Sequence, residues 1–151
     1  MKPHAFVAVL AASAVFLGSG VVGAADIELR ASHQWNTKDV RHKMVQIIAD
    51  EMEKANVGVT VKVFPGKSLY KPKEQWAPLT TGELDISAFP LAYAANRHRE
   101  FDATLMPGLV KNHEHAARMN DSEFMDDIKK IIDDANVMVI SDAWLAGGFA
   151  S

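Results

Sequence analysis

The chain has 151 residues, of which 48% are hydrophobic and 23% charged, which is the balance of an ordinary globular protein. Sixteen Lys and Arg against nineteen Asp and Glu give a net charge of −3. The sequence therefore offers no broad basic surface for phosphates, and we expect no nucleic-acid partner. Cysteine is absent, which excludes a disulfide framework, a thiolate nucleophile and cysteine-ligated zinc or iron–sulfur sites.

The amino terminus has the layout of a cleavable signal peptide. Lys2 precedes an almost unbroken apolar run over residues 5–17, and small side chains fill positions 22–25. Signal peptidase accepts such residues, so we expect residues 1–25 to be removed and the mature chain to reach the periplasm. An uncleaved membrane anchor is the alternative, because the apolar stretch is just long enough to span a bilayer. Its abundance of Ala, Gly and Ser favours cleavage.

The first half of the mature chain switches between strand and helix periodicity. Residues 27–32 and 59–63 alternate apolar with polar side chains, which predicts two strands. Between them, residues 40–55 place apolar side chains at helical spacing, with Thr37 or Asp39 as a candidate amino-terminal cap. The side chains predicted to face the core from this helix are Val40, Met44, Ile47, Ile48, Met52 and Ala55.

The second half continues the alternation. It predicts a short helix over 71–82, a strand over 84–89, helices over 112–120 and 121–134, and a strand over 137–140. The last strand is an unbroken apolar run, which indicates burial on both faces. Strands that alternate with helices build an α/β fold with a mainly parallel sheet and helices on both faces.

Ligands of such sheets bind beyond the carboxyl ends of the strands, so the loops at these ends are candidate sites. The loops concerned are 33–38, 65–73, 89–93 and 143–151. Three of them combine aromatic walls with hydrogen-bonding side chains, which is the composition that a small-molecule site requires. The candidate ligand-binding residues are His33, Gln34, Trp35, Gln75, Phe89, Pro90 and Tyr93. Burial in the core is the alternative for Phe89 and for the nearby Trp76.

Other chemistry finds little support in the sequence. His113-Glu114-His115 is a poor metal site, because residues two apart point to different faces of a helix; a solvated helix start is the favoured interpretation. No serine lies between glycines as a nucleophile elbow requires. We therefore predict no catalytic residues, no metal and no cofactor.

The order of several motifs resembles the solute-binding subunits of tripartite ATP-independent periplasmic (TRAP) transporters, the DctP-like family. The most specific motifs are Gly82-Glu83-Leu84-Asp85-Ile86 and the element from Pro107 to His113-Glu114-His115-Ala116; the segments FPGKSLY and WLAGGF add to them. The resemblance implies the first lobe of a periplasmic-binding-protein-like fold. It also implies capture of a small organic anion, commonly a carboxylate, and its delivery to the TRAP membrane permease.

The resemblance also implies an incomplete domain. The Arg that clamps the carboxylate in this family belongs beyond residue 151, and family members have a second lobe and a long hinge helix. We therefore expect residues 26–151 to be a truncated amino-terminal lobe whose affinity for solute is no better than roughly millimolar. Two other functions stay open from the sequence: a stand-alone exported interaction domain and a small secreted α/β hydrolase.

Overall fold

Parallel strand pairing organises the fold. A computed structural model describes residues 27–144. Its strands and helices are β1 (Ile27–His33), α1 (Val40–Ala55), β2 (Val59–Phe64), α2 (Trp76–Thr81), β3 (Ile86–Ala88), α3 (His113–Asn120) and α4 (Glu123–Asp134). Two 3₁₀ helices, Leu91–Ala94 and Arg99–Leu105, join β3 to α3.

The sheet has the order β2-β1-β3, and both pairings are parallel. Its register places Ser32 opposite Phe64 on one side and opposite Ser87 on the other. Parallel neighbours require long crossovers, which α1 supplies between β1 and β2 and the α2 segment supplies between β2 and β3. The carboxyl ends of β1 and β3 therefore lie side by side, as the alternation of elements predicted.

Helix α1 covers one face of the sheet. The carboxylate of Asp39 caps it by accepting a hydrogen bond from the Arg41 amide, and Asn56 ends it in the left-handed conformation. Its buried side chains are Val45 and Ala49. The predicted core face was therefore partly wrong: Val40, Met44 and Ile47 are exposed. The actual buried face is rotated toward smaller side chains, which let the helix approach the strands closely.

A second layer holds the main apolar core. Trp76, Ala94, Phe101, Met125, Ile128 and Ile132 pack together as one buried cluster. The Trp76 ring meets the Phe101 ring edge to face, with 5.3 Å between their centroids. Helix α4 contributes through its apolar stripe, and Ser122 caps it by accepting a hydrogen bond from the Met125 amide. Trp76 is thus a core residue.

Two predicted elements are shorter in the structure. Strand β3 covers only Ile86–Ala88: Leu84 is buried ahead of the strand, and a 3₁₀ helix begins directly after Pro90. Helix α2 begins at Trp76, and Pro72 lies in the turn before it.

The predicted fourth strand over 137–140 was wrong. Those residues form no strand, and Met138 and Ile140 are 75% and 61% exposed. Val137 and Val139 do pack against the core cluster. The apolar run is therefore an extended segment with one covered face, because no neighbouring strand among residues 27–144 pairs with it.

Two sequence predictions lie outside the described residues: the signal peptide over 1–25 and most of the loop over 143–151. Across residues 27–144, each helix is too short or too polar to cross a membrane.

The core cluster predicts a large cost for truncating Phe101, which is fully buried. Phe101→Ala should lower the free energy of unfolding by about 3–5 kcal/mol, because it removes apolar contacts and leaves a cavity. Leu105→Ala, in the same 3₁₀ helix but 59% exposed, should change it by at most about 0.5 kcal/mol. Urea denaturation of the full chain measures both; equal effects would show that this core is wrongly located.

Candidate functional site

The loops that follow β1 and β2 are joined by hydrogen bonds. The Gly66 amide donates to the Trp35 carbonyl at 2.8 Å, and the Lys67 amide donates to the His33 carbonyl at 3.2 Å. Gly66 and Lys67 both have positive φ, 65° and 67°, which turns the chain sharply and directs both amides back toward β1. The loop after β1 is thereby held against a fixed neighbour.

His33 is the last residue of β1, and its side chain is fully buried. Its Nδ1 lies 3.2 Å from the Trp35 amide nitrogen, which donates to it, and its Nε2 lies 3.0 Å from Nδ1 of His42. Burial lowers the pKa of His33 below its usual value of 6.5, and the nearby His42 lowers it further. Both ring nitrogens are occupied within the protein, so His33 supports the loop from beneath.

Trp35 is contacted by two side chains. Its ring stacks on His33 with 5.5 Å between centroids, and the guanidinium carbon of Arg41 lies 4.8 Å from its centroid. Arg41 is fixed in turn by Asp39: Nε donates to Oδ1 at 2.8 Å and Nη2 donates to Oδ2 at 2.6 Å. Such a bidentate pair fixes the plane of the guanidinium, and with it the indole.

The ion pair shifts the pKa values of both Asp39 and Arg41. Hydrogen bonds from the side chain and backbone of Arg41 hold the pKa of Asp39 at about 2, below its usual 3.8. The hydrogen bond to Asp39 raises the pKa of Arg41, and Tyr93 adds a smaller electrostatic contribution in the same direction. Tyr93 therefore lies within electrostatic reach of Arg41, although it follows a different strand.

Gln75 is fully buried beneath the edge of the sheet at which the strands have their carboxyl ends. Its Oε1 accepts a hydrogen bond from the Ser87 hydroxyl at 2.6 Å, which ties the start of α2 to β3. Within the described chain, three buried polar atoms have no hydrogen-bond partner in the protein: Ser32 Oγ, Gln34 Oε1 and Gln75 Nε2. Gln75 therefore supports the edge from within and does not line its open surface.

In the loop after β3, some side chains pack on the core and others lie at the surface. Phe89 meets Trp76 edge to face at 6.5 Å and packs against the core cluster. Pro90 precedes the 3₁₀ helix that carries Tyr93. Tyr93 lines an open depression of about 410 Å³ together with Lys71, Pro72, Lys73 and Glu74. Of the predicted site residues, Tyr93 is the one that lines this depression.

The histidines of α3 have local structural roles. The side chain of Asn112 accepts a hydrogen bond from the His115 amide, and Nδ1 of His115 accepts one from the Lys111 amide. Glu114 is exposed in the first helical turn. These contacts agree with the predicted solvated helix start. Within residues 27–144, no cluster of three or more His, Asp or Glu residues is arranged to hold a metal ion.

Comparison with known proteins decides the family. The model of the DctP family, described as bacterial extracellular solute-binding protein, family 7, matches residues 31–151. The chain belongs to this family. A solute-binding protein of Albidiferax ferrireducens is 33% identical over 129 residues, which are 82% of this chain and 38% of the relative.

Solved structures show the same fold. A TRAP periplasmic solute-binding protein from Rhodoferax ferrireducens with bound malonate is 30% identical, with a TM-score of 0.65 over 71% of this chain and 36% of its own. A TRAP periplasmic protein from Sulfurospirillum deleyianum with bound succinate is 20% identical, with a TM-score of 0.65 over 74% and 36%. This DctP-family chain thus spans little more than a third of the length of these relatives.

The structure places further residues next to the candidate site residue Trp35 that the sequence did not indicate. Arg41, Asp39 and His42 lie at the start of α1, yet they determine how Trp35 is held. Asp39 was predicted only as a helix cap, and the anion-binding arginine was expected far downstream. The sequence did contain one signal for this arrangement: Arg41 follows the candidate cap Asp39 by two residues and lies close in sequence to Trp35.

The ion pair predicts an unusual titration of Asp39. Its lowered pKa means that its contribution to stability is complete above the usual pKa of 3.8 and is lost as the pH falls toward about 2. Replacing Arg41→Gln should raise the pKa of Asp39 toward its usual value, because the hydrogen bonds to the guanidinium are lost.

Side-chain carboxyl NMR signals, followed from pH 6 downward, measure this change. Asp85 is the internal control: the backbone amide of Arg30 lowers its pKa, with a further contribution from the Arg30 side chain, and neither depends on Arg41. If Asp39 has the same pKa in the parent chain and in Arg41→Gln, the ion pair between Asp39 and Arg41 would be contradicted.

Proposed function

We propose that this chain forms one wall of a cleft that captures a small organic carboxylate outside the cytoplasm for a TRAP-type transporter. Membership of the DctP family supports this proposal, as does the 30% identical TRAP protein whose structure contains malonate. The matched relatives are described as solute-binding proteins, which favours binding over catalysis or a stand-alone interaction role.

The clamped Trp35 is the observation that carries the proposal. A binding wall must be flat and already in place, because ordering a loose side chain on binding costs affinity. Trp35 meets both conditions through its contacts with His33 and Arg41. Arg41 uses Nε and Nη2 for Asp39. Its Nη1 forms no hydrogen bond within residues 27–144, and we assign it to the solute carboxylate.

The charges of the surrounding loops support an anionic solute. Residues 33–41 and 65–75 carry five Lys or Arg but only two Asp or Glu, although the whole chain has a net charge of −3. Four of these cations are the lysines Lys38, Lys67, Lys71 and Lys73, and all four are exposed. A local excess of positive charge raises the concentration of small anions near the edge.

We assign different tasks to the predicted site residues. Trp35 and Tyr93 contact the solute directly, and Gln34 and Pro90 lie at the rim. The side chains of His33, Gln75 and Phe89 are buried or packed on the core and hold the others in place. The missing arginine contact and the opposite wall are supplied by the second lobe, which closes over the solute.

The rest of the proposal concerns the cell. Residues 1–25 act as a cleavable signal peptide, and the mature protein delivers its solute to the permease subunits in the membrane. The domain formed by residues 26–151 is the amino-terminal lobe, and the rest of the closed cleft lies beyond it. Neither step involves a cofactor.

We predict that malonate, which serves as the probe, binds weakly and at one place on the proposed cleft wall. NMR titration of the isotope-labelled chain at pH 7.5, with NaCl as the ionic-strength reference, should shift signals of Trp35, Arg41 and Tyr93. The apparent dissociation constant should be roughly 1 mM or weaker, because a single solvated wall leaves the anion largely in water.

Two variants separate the site from general anion attraction. Arg41→Gln should weaken the response about tenfold or abolish it, whereas Arg118→Gln, an exposed site in the last turn of α3, should leave it unchanged. Shifts that are absent, or that spread over all exposed lysines alike, would count against the proposed cleft wall.

A further inference from the structure

His33 links two hydrogen bonds whose donor-to-acceptor direction is fixed by the Trp35 amide. The Trp35 amide nitrogen lies 3.2 Å from Nδ1 of His33, and Nε2 of His33 lies 3.0 Å from Nδ1 of His42. A backbone N–H can only donate, so Nδ1 of His33 must carry no proton. Its proton is therefore on Nε2, and Nδ1 of His42 is the acceptor. Both imidazoles are neutral in this arrangement.

We propose that the His33–His42 pair is a proton-sensitive support for the Trp35 wall. A proton added to Nδ1 of His33 would face the Trp35 N–H, and one added to Nδ1 of His42 would face the N–H of His33. Either proton places two donors against each other, so one hydrogen bond of the chain must break. An extra proton on Nδ1 of either histidine therefore breaks one of the two hydrogen bonds.

The groups around the pair decide in which pH range this happens. Full burial disfavours charge on His33, and this effect is the largest cause of its lowered pKa; His42 adds to it. Asp39 acts in the opposite sense, but its carboxylate is already engaged by Arg41. Lys67 reaches His33 through its backbone amide, and Tyr93 contributes slightly to the raised pKa of Arg41.

The sign of the pH dependence follows. Because the folded pKa of His33 is lowered, the neutral pair's contribution is complete above about 6.5 and is lost as the pH falls below it. The loss would reach further than one side chain, since the Trp35 and His33 carbonyls also hold the Gly66–Lys67 turn. The meaning for solute capture rests on the proposed function: affinity should be greatest at neutral pH and fall in mild acid.

NMR of the full chain without any solute tests the pair separately from the proposed function. As the pH is lowered from 8, the ring signals of His33 should titrate together with the backbone amides of Trp35, Gly66 and Lys67. Signals of the core helix, such as Ile128, should stay fixed, which distinguishes local release from unfolding. Trp35 amide signals that do not move while His33 titrates would overturn the proposal.

Substitution of His42 supplies the second test. His42→Asn keeps an acceptor near the position of Nδ1 but removes the electrostatic effect of His42 that helps to lower the pKa of His33, so the Trp35 transition should move to higher pH. His42→Ala removes the acceptor and should give released Trp35 signals at pH 7.5. His113→Asn, at an exposed histidine of α3, should match the parent chain. An unchanged midpoint in His42→Asn would refute the proton-sensitive role.

Discussion

The parallel pairing of β1 with both of its neighbours is the constraint on which the candidate site depends. Because β1 lies between β2 and β3 and both pairings are parallel, its carboxyl end lies beside the carboxyl ends of both neighbours at one edge. The backbone amides of Gly66 and Lys67 then reach the carbonyls that follow β1. This pairing is what brings the loops after the three strands to the same edge of the sheet.

At this edge, the half-buried side chains contact buried or ion-paired ones. Trp35 rests on His33, Arg41 is fixed by Asp39, and the start of α2 is tied to β3 by Gln75 and Ser87. The core cluster around Phe101 anchors the loop after β3 from the other side. Sites that bind small molecules work best on such supported side chains.

Local patterns predicted the elements well, because helix and strand periods depend on residues close in sequence. They failed where burial is decided by distant partners: residues 137–140 have the composition of a buried strand, but no strand among residues 27–144 pairs with them. Likewise, the α1 stripe of Val40, Met44 and Ile47 has the right spacing yet is exposed. Trp35 was found from composition, whereas its clamp by Arg41 depends on how α1 docks on the sheet.

The central claim is that the solute lies against the indole of Trp35 at the carboxyl edge of β1. Intermolecular nuclear Overhauser effects between the methylene protons of malonate and the labelled chain measure this contact directly. The account predicts cross-peaks to the ring protons of Trp35 and Tyr93. Cross-peaks confined to other positions, such as the exposed sheet face that carries Lys62 and Glu28, would contradict it.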